Sequence, residues 1–242
     1  MTNSERLIVG AAFVLYFIVV LFISSTKAEA VTVISYNLAC YDCVPQSYAR
    51  DSAIVEAIQA ENPDVIAFQE LTIGSIQEHY LVTSLNEYTY CKGDEGRWEG
   101  ISAGTFVKGG TCNGIKPVWG AHNCNSVTLR GETILNCHLP WQKQVASVAF
   151  DFEQDMILSA DYLVGDINAH PSKNPHVYDV IEGWSQAIYL DRVDIIASKS
   201  KQMKYKTLGA FGSDHNMIVG RTVINPGALA VILGYLMGET YE

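Results

Sequence analysis

An α/β (α+β) fold is predicted by three features of the chain. Residues 31–70 read as strand, helix and strand in succession. Two β-branched runs, Ser126–Leu129 and Thr133–His138, flank Arg130-Gly131-Glu132, a hairpin signal. An apolar run, Tyr162-Leu163-Val164, breaks at Gly165 into Asp166-Ile167-Asn168-Ala169-His170-Pro171, as a short buried strand does where it leaves a sheet.

Taken in order, Val31 to Asn37 alternates and is β-branched, so a strand ends at Asn37. Ile54 and Ile58 stand at helical spacing within 52–60, with Asp51 or Ser52 as the cap and Pro63 beyond the end. Asp64 to Glu70 is apolar until it closes on Gln69-Glu70, a second strand, and the three elements make a strand–helix–strand unit. Residues 73–85 read as a helix. Residues 91–114 are glycine-rich and read as turns and short strands, one of them within 100–107. The second hairpin strand runs out at His138-Leu139-Pro140-Trp141. Residues 142–160 place Val145, Val148, Phe152, Met156 and Ile157 near one helical face. A short helix over 177–181, a strand over 192–197, a loop at 212–215 and a strand over 216–223 complete the chain.

Composition bounds the setting. The 242 residues favour one large domain, and 48% hydrophobic content supports a substantial core. The net charge of −10 falls outside residues 1–30, where Glu5, Arg6, Lys27 and Glu29 cancel. An acidic surface disfavours nucleic-acid binding by broad electrostatics, while leaving a local metal site free to take a phosphate. Leu7 to Ser25 is 19 residues without a charge, long enough to cross a bilayer. Ala28-Glu29-Ala30 also fits signal-peptidase cleavage, so residues 1–30 read as a membrane anchor or a signal peptide. Either sends residues 31–242 out of the cytosol, membrane-anchored or secreted. The six cysteines (Cys40, Cys43, Cys91, Cys112, Cys124 and Cys137) suit disulfides there, with pairing open. The tail from 227 to 238 is apolar but too short to span.

Polar groups stand at or beside the expected strand ends: Asn37, Glu70, His138, Asp166 with Asn168, Asp194, and Asp214 with His215. Each alone reads as an ordinary turn or core residue. Together they gather amide, carboxylate and imidazole groups at the ends of apolar runs. The segments Ile34-Ser35-Tyr36-Asn37, Val65-Ile66-Ala67-Phe68-Gln69-Glu70, Asn136-Cys137-His138-Leu139, Gly165-Asp166-Ile167-Asn168, Arg192-Val193-Asp194 and Gly212-Ser213-Asp214-His215 resemble, in the same order, the motifs of the endonuclease/exonuclease/phosphatase (DNase I-like) superfamily.

That resemblance spans roughly residues 31–223 and implies a four-layer sandwich, two mostly antiparallel mixed sheets face to face with helices outside. It implies a metal-dependent phosphoesterase using Mg²⁺ or Mn²⁺, with Glu70 as metal ligand, Asn37 beside it and Asp214 near the metal or its waters. Asp166 would orient or deprotonate the attacking water, and Asn168 would fix a phosphate oxygen or that water. His215, oriented by Asp194, would contact the phosphate, and His138 would give a proton to the leaving group. Asp191 is an alternative partner for His215, but the apolar run directly follows Asp194. The short span from Asp166 to Asp214 implies a more open cleft, which His170, His176, Trp98 and Trp141 could line, though each reads first as a packing or surface residue. The implied substrate is a phosphodiester, DNA first, with a lipid or small phosphoester as the other reading. The N-terminal segment is the route to a membrane.

Overall fold

Two six-stranded sheets carry the chain, in the orders β11-β12-β1-β2-β4-β3 and β5-β6-β7-β8-β10-β9. The computed structural model describes residues 30–39, 47–93, 101–117, 123–139, 154–168, 179–189 and 194–223. The N-terminal apolar stretch, Cys40, Cys43, Trp98, Trp141, His170, His176, Asp191, residues 142–153 and the apolar tail lie outside these. Val31–Thr222 forms one compact unit. Among the described residues no helix is long and apolar enough to cross a membrane.

The first sheet holds β1 (Thr32–Asn37), β2 (Val65–Thr72), β3 (Thr89–Cys91), β4 (Ile101–Val107), β11 (Met203–Gly209) and β12 (Met217–Thr222). The second holds β5 (Thr111–Pro117), β6 (Asn123–Leu129), β7 (Glu132–His138), β8 (Tyr162–Asp166), β9 (Ser185–Tyr189) and β10 (Asp194–Ser198). Every pairing is antiparallel except β1 with β2 and β7 with β8. Each parallel pair lies at the middle of its sheet, joined by a crossover that a two-residue hairpin cannot supply.

Helix α1 (Tyr48–Glu61) makes the first crossover. It starts earlier than the apolar spacing implies, because Ser47 rather than Asp51 or Ser52 is the cap: its Oγ accepts from Arg50 N at 3.1 Å. Arg50 and Asp51 are then buried in the first turn. Helix α2 (Ile76–Ser84) opens with a reciprocal cap. Ser75 Oγ accepts from Glu78 N, and Glu78 Oε2 accepts from Gly74 N. Helix α3 (Gln154–Ser159) packs on the second sheet.

Burial divides the interior into three apolar layers. Ile34, Tyr36, Ile66, Phe68 and Phe106 of the first sheet pack against Ile54, Ile58 and Leu81 of α1 and α2. Leu135, Leu163, Ile195 and Ala197 of the second sheet pack against Ile157 of α3 and Ile181. Between the sheets lie Val33, Val65, Ala67 and Val107 facing Val127, Ile134, Tyr162, Val164 and Ile196. The order is helix, sheet, sheet, helix, the four-layer sandwich. Each fully buried large apolar side chain contributes about 1.5–3 kcal/mol.

Among the described residues two disulfides are seen. Cys91–Cys112 joins β3 of one sheet to β5 of the other. Cys124–Cys137 joins adjacent strands β6 and β7 just before His138. Loop closure over 21 residues makes the first worth about 3 kcal/mol.

Gly165 admits the close approach of β8 to β7 beside the site. Its φ is +134°, and a Cβ there would lie 2.0 Å from the Cys137 carbonyl oxygen. Gly165→Ala is expected to lower stability by about 3 kcal/mol or more, read by denaturant unfolding. A wild-type midpoint would show that β7 and β8 are not so closely apposed.

Candidate active site

The inner face of each strand changes character along its length. On β1 it runs Val33, Ser35, Asn37; on β2, Val65, Ala67, Gln69; on β7, Ile134, Asn136, His138; on β8, Tyr162, Val164, Asp166. Side chains alternate across a strand, so an apolar run that turns polar every second residue leads one face from core to site. All four strands turn polar at the same end, where β10 begins with Asp194 and β12 follows His215.

Glu70 is out of step. With Gln69 facing inward, regular alternation points Glu70 at the helix layer. A bulge corrects this: the β2–β4 register slips between Phe68↔Gly104 and Leu71↔Ser102, and Glu70 adopts φ +55°. A bulge re-aims a side chain, here at the cost of a left-handed non-glycine residue.

The parallel pairs end alike. Asn37 stands in register with Gln69, and Leu38 N donates to Gln69 O at 2.9 Å. His138 stands in register with Asp166, and Leu139 N donates to Asp166 O at 2.9 Å. Asp194 is opposite Asp166 in the antiparallel β8–β10 ladder, which sets two buried carboxylates side by side.

Asp166 is the hub. Its Oδ2 accepts from Asn37 Nδ2 at 3.0 Å and its Oδ1 from Asn168 N at 2.9 Å. His138 Nε2 lies 3.9 Å and His215 Nε2 3.8 Å from its Oδ2. Asn37 Nδ2 also donates to Glu70 Oε1 at 3.0 Å, and His138 Nε2 lies 3.7 Å from that oxygen. His215 Nδ1 shares a hydrogen bond of 2.8 Å with Asp194 Oδ2.

Burial acts first on each titrating group. It raises the Asp166 carboxyl well above its ordinary range, and the Asp194 charge raises it further. It lowers His138 to about 4, helped by the His215 charge. It lowers His215 too, but there the Asp194 hydrogen bond and charge, with Asp166 and Asp214, more than reverse it and bring the group to about 9. The two imidazoles therefore differ in charge at neutral pH.

Asn168, at φ +48°, turns its Nδ2 to Leu139 O at 2.6 Å. Asp214 is exposed at the rim, its Oδ1 3.7 Å from His215 Nε2. Asn37 presents its NH₂ to the carboxylates, while its Oδ1 accepts from Ala39 N at 2.8 Å.

No family profile matches the sequence, and no curated protein is similar to it by sequence. Solved structures are similar in fold. D. rerio TDP2 complexed with single-strand DNA product superposes with a TM-score of 0.62 at 16% identity, covering 81% of this chain and 100% of that one. An endonuclease/exonuclease/phosphatase from Bacteroides vulgatus gives 0.61 at 14% identity, covering 81% and 100%. The human Nocturnin catalytic domain with bound sulfate gives 0.58 at 14%, covering 81% and 95%. This chain has the endonuclease/exonuclease/phosphatase fold.

Within that fold, ligand atoms of Glu70, His138 and Asp166 lie within 4.8 Å of one another, as do those of Asp166, Asp194 and His215. Glu70 with Asp166 offers hard, anionic oxygens, with Glu70 partly exposed, which fits Mg²⁺ or Mn²⁺ retaining its waters. The candidate site also depends on residues that spacing did not flag. Arg50 donates to Leu38 O and, at 3.0 Å, to Phe211 O, joining the loops that follow Asn37 and precede His215. Ser213 Oγ donates to Asn37 O at 2.8 Å and accepts from His215 N at 3.0 Å.

A histidine raised on folding binds protons that the unfolded chain has already lost. Stability from the Asp194–His215 pair is therefore complete below pH about 6.5 and lost as pH rises through about 9. In chelator, Asp194→Asn should lower the melting temperature strongly at about pH 6 and little at about pH 10. The variant-to-wild-type difference should shrink by on the order of 2 kcal/mol. An equal difference at both pH values would refute the pairing as the cause.

Proposed function

We propose that the chain is a divalent-metal-dependent phosphoesterase that hydrolyses phosphodiester bonds, acting as a DNase-like nuclease outside the cytosol. One observation carries this reading. Asp166 is shared between a carboxylate–imidazole group that suits a hard cation and an acid–imidazole pair that holds a proton. Glu70, with Asp166 beside it, would hold Mg²⁺ or Mn²⁺, which would supply charge neutralisation at a phosphate oxygen.

The chain's own groups do the rest. Asn37 fixes the Glu70 and Asp166 carboxylates at one spacing through a single amide. Asp166 orients the attacking water and takes its proton. His215, kept charged by Asp194, faces the phosphoryl group and offers its Nε2 proton. His138, lowered by burial to about 4, supports the phosphoryl group as a hydrogen-bond partner on the leaving-group side. Asn168 holds the Leu139 carbonyl and with it the turn after His138, and Asp214 closes the rim beside His215.

DNA as substrate is supported by the TDP2 neighbour solved with a single-strand DNA product. Action outside the cytosol is supported by the two disulfides. A lipid phosphodiester is the second reading, favoured by the 19-residue apolar stretch at the N-terminus.

The protein should hydrolyse one member of a panel of plasmid DNA, RNA, sphingomyelin and inositol phosphates with Mg²⁺. Activity should vanish in EDTA and return with Mg²⁺ or Mn²⁺. Asp166→Ala and His215→Ala should each lose on the order of a thousandfold in kcat while remaining folded. DNA cleavage with inert lipid selects the nuclease reading, and the reverse selects the lipid one. Activity that survives chelation, or a folded wild type silent on the whole panel, would refute the phosphoesterase assignment.

A further inference from the structure

Beneath the site, uncharged amides replace the apolar contacts between the sheets. Asn136 of β7 is fully buried and reaches across to the opposite sheet. Its Nδ2 donates to the carbonyls of Phe68 at 3.1 Å and Gly104 at 3.2 Å, with Thr105 Oγ1 at 3.1 Å. Its Oδ1 accepts from Gln69 Nε2 at 2.8 Å. Gln69 Nε2 also donates to Ala67 O at 3.1 Å.

The carbonyls it binds mark a particular place. Phe68↔Gly104 is the last regular pair of β2 and β4 before the register slips and Glu70 turns inward. Asn136 is also two residues before His138 on the same face of β7. One side chain thus ties the strand that carries His138 to the bulge that aims Glu70. Apolar packing is non-directional and lets sheets slide, whereas a buried hydrogen-bonded amide leaves polar groups unsatisfied if they do.

We propose that Asn136 is a positioning residue for Glu70, setting the separation of the Glu70 carboxylate from His138 and Asp166, and that Gln69 orients its amide. The inference rests on the metal role proposed for Glu70. It explains why a polar residue stands where the same face otherwise carries Ile134.

Calorimetric titration of the full-length protein with Mn²⁺ tests this, alongside kcat for a generic phosphodiester as metal is raised and circular dichroism to establish folding. Asn136→Ala should raise the Mn²⁺ dissociation constant about tenfold, as loss of a supporting hydrogen bond does. At saturating metal its kcat should return to within about threefold of wild type, because the remaining groups keep their places. Wild-type Mn²⁺ affinity in the folded variant overturns the proposal, and so does a kcat loss that no metal concentration restores. If Asn136→Ala does not fold, Gln69→Met, which keeps volume, should weaken Mn²⁺ about threefold, and unchanged affinity there overturns it equally. A wild type that binds no Mn²⁺ defeats instead the metal role of Glu70 on which the inference stands.

Discussion

A carboxylate with almost no access to water must be held by its neighbours, and Asp166 is such a group. Two amides donate to it, two imidazoles approach it, and a second buried carboxylate lies across the ladder. Its burial and the Asp194 charge disfavour the charged form, and the His215 charge opposes them only in part, so its state is set by position. The arrangement requires β1, β7, β8, β10 and the loop before β12 to end at one place. That requirement organises the sandwich. The two sheets each place a parallel pair at their centre, and both pairs deliver their last side chains to the same end.

The strand faces show how one interior serves two ends. Away from the site the inter-sheet layer is Val, Ile and Ala, which holds the sheets together without direction. Nearer the site, Ser35, Gln69, Asn136, Thr105 and Asn123 replace it with hydrogen bonds that fix register. At the end stand the groups that titrate. Stability and geometry are therefore supplied by different stretches of the same strands. The disulfide from β3 to β5 adds a covalent link between the sheets.

Much of this was legible in the sequence, for a physical reason. Buried strands of a parallel pair are apolar on both faces, so the polar residue that ends each one, Asn37, His138 or Asp166, stands out. Less legible elements fail that contrast. Strand β11 carries Lys204 and Lys206 on an exposed edge, and β5 is interrupted by Gly114. Both lack the apolar run that marks a strand. The start of α1 was hidden because the first turn buries Arg50 and Asp51, charged residues that interrupt the apolar spacing. Glu70 was found by its place after an apolar run, yet period-two alternation alone points it the wrong way. Only the slipped register with β4 turns it inward. Asn136, Arg50 and Ser213 act through backbone carbonyls and amides, which residue type does not reveal.

The proposed activity requires one cation held at Glu70 on its Asp166 side. Diffraction from crystals grown with Mn²⁺, recorded at the manganese edge, locates such an ion directly. The expected result is an anomalous peak in contact with a Glu70 carboxylate oxygen and on the Asp166 side of it, absent from Glu70→Ala crystals. Manganese bound only at exposed acids away from Glu70, or no peak at the site at saturating metal, would contradict it.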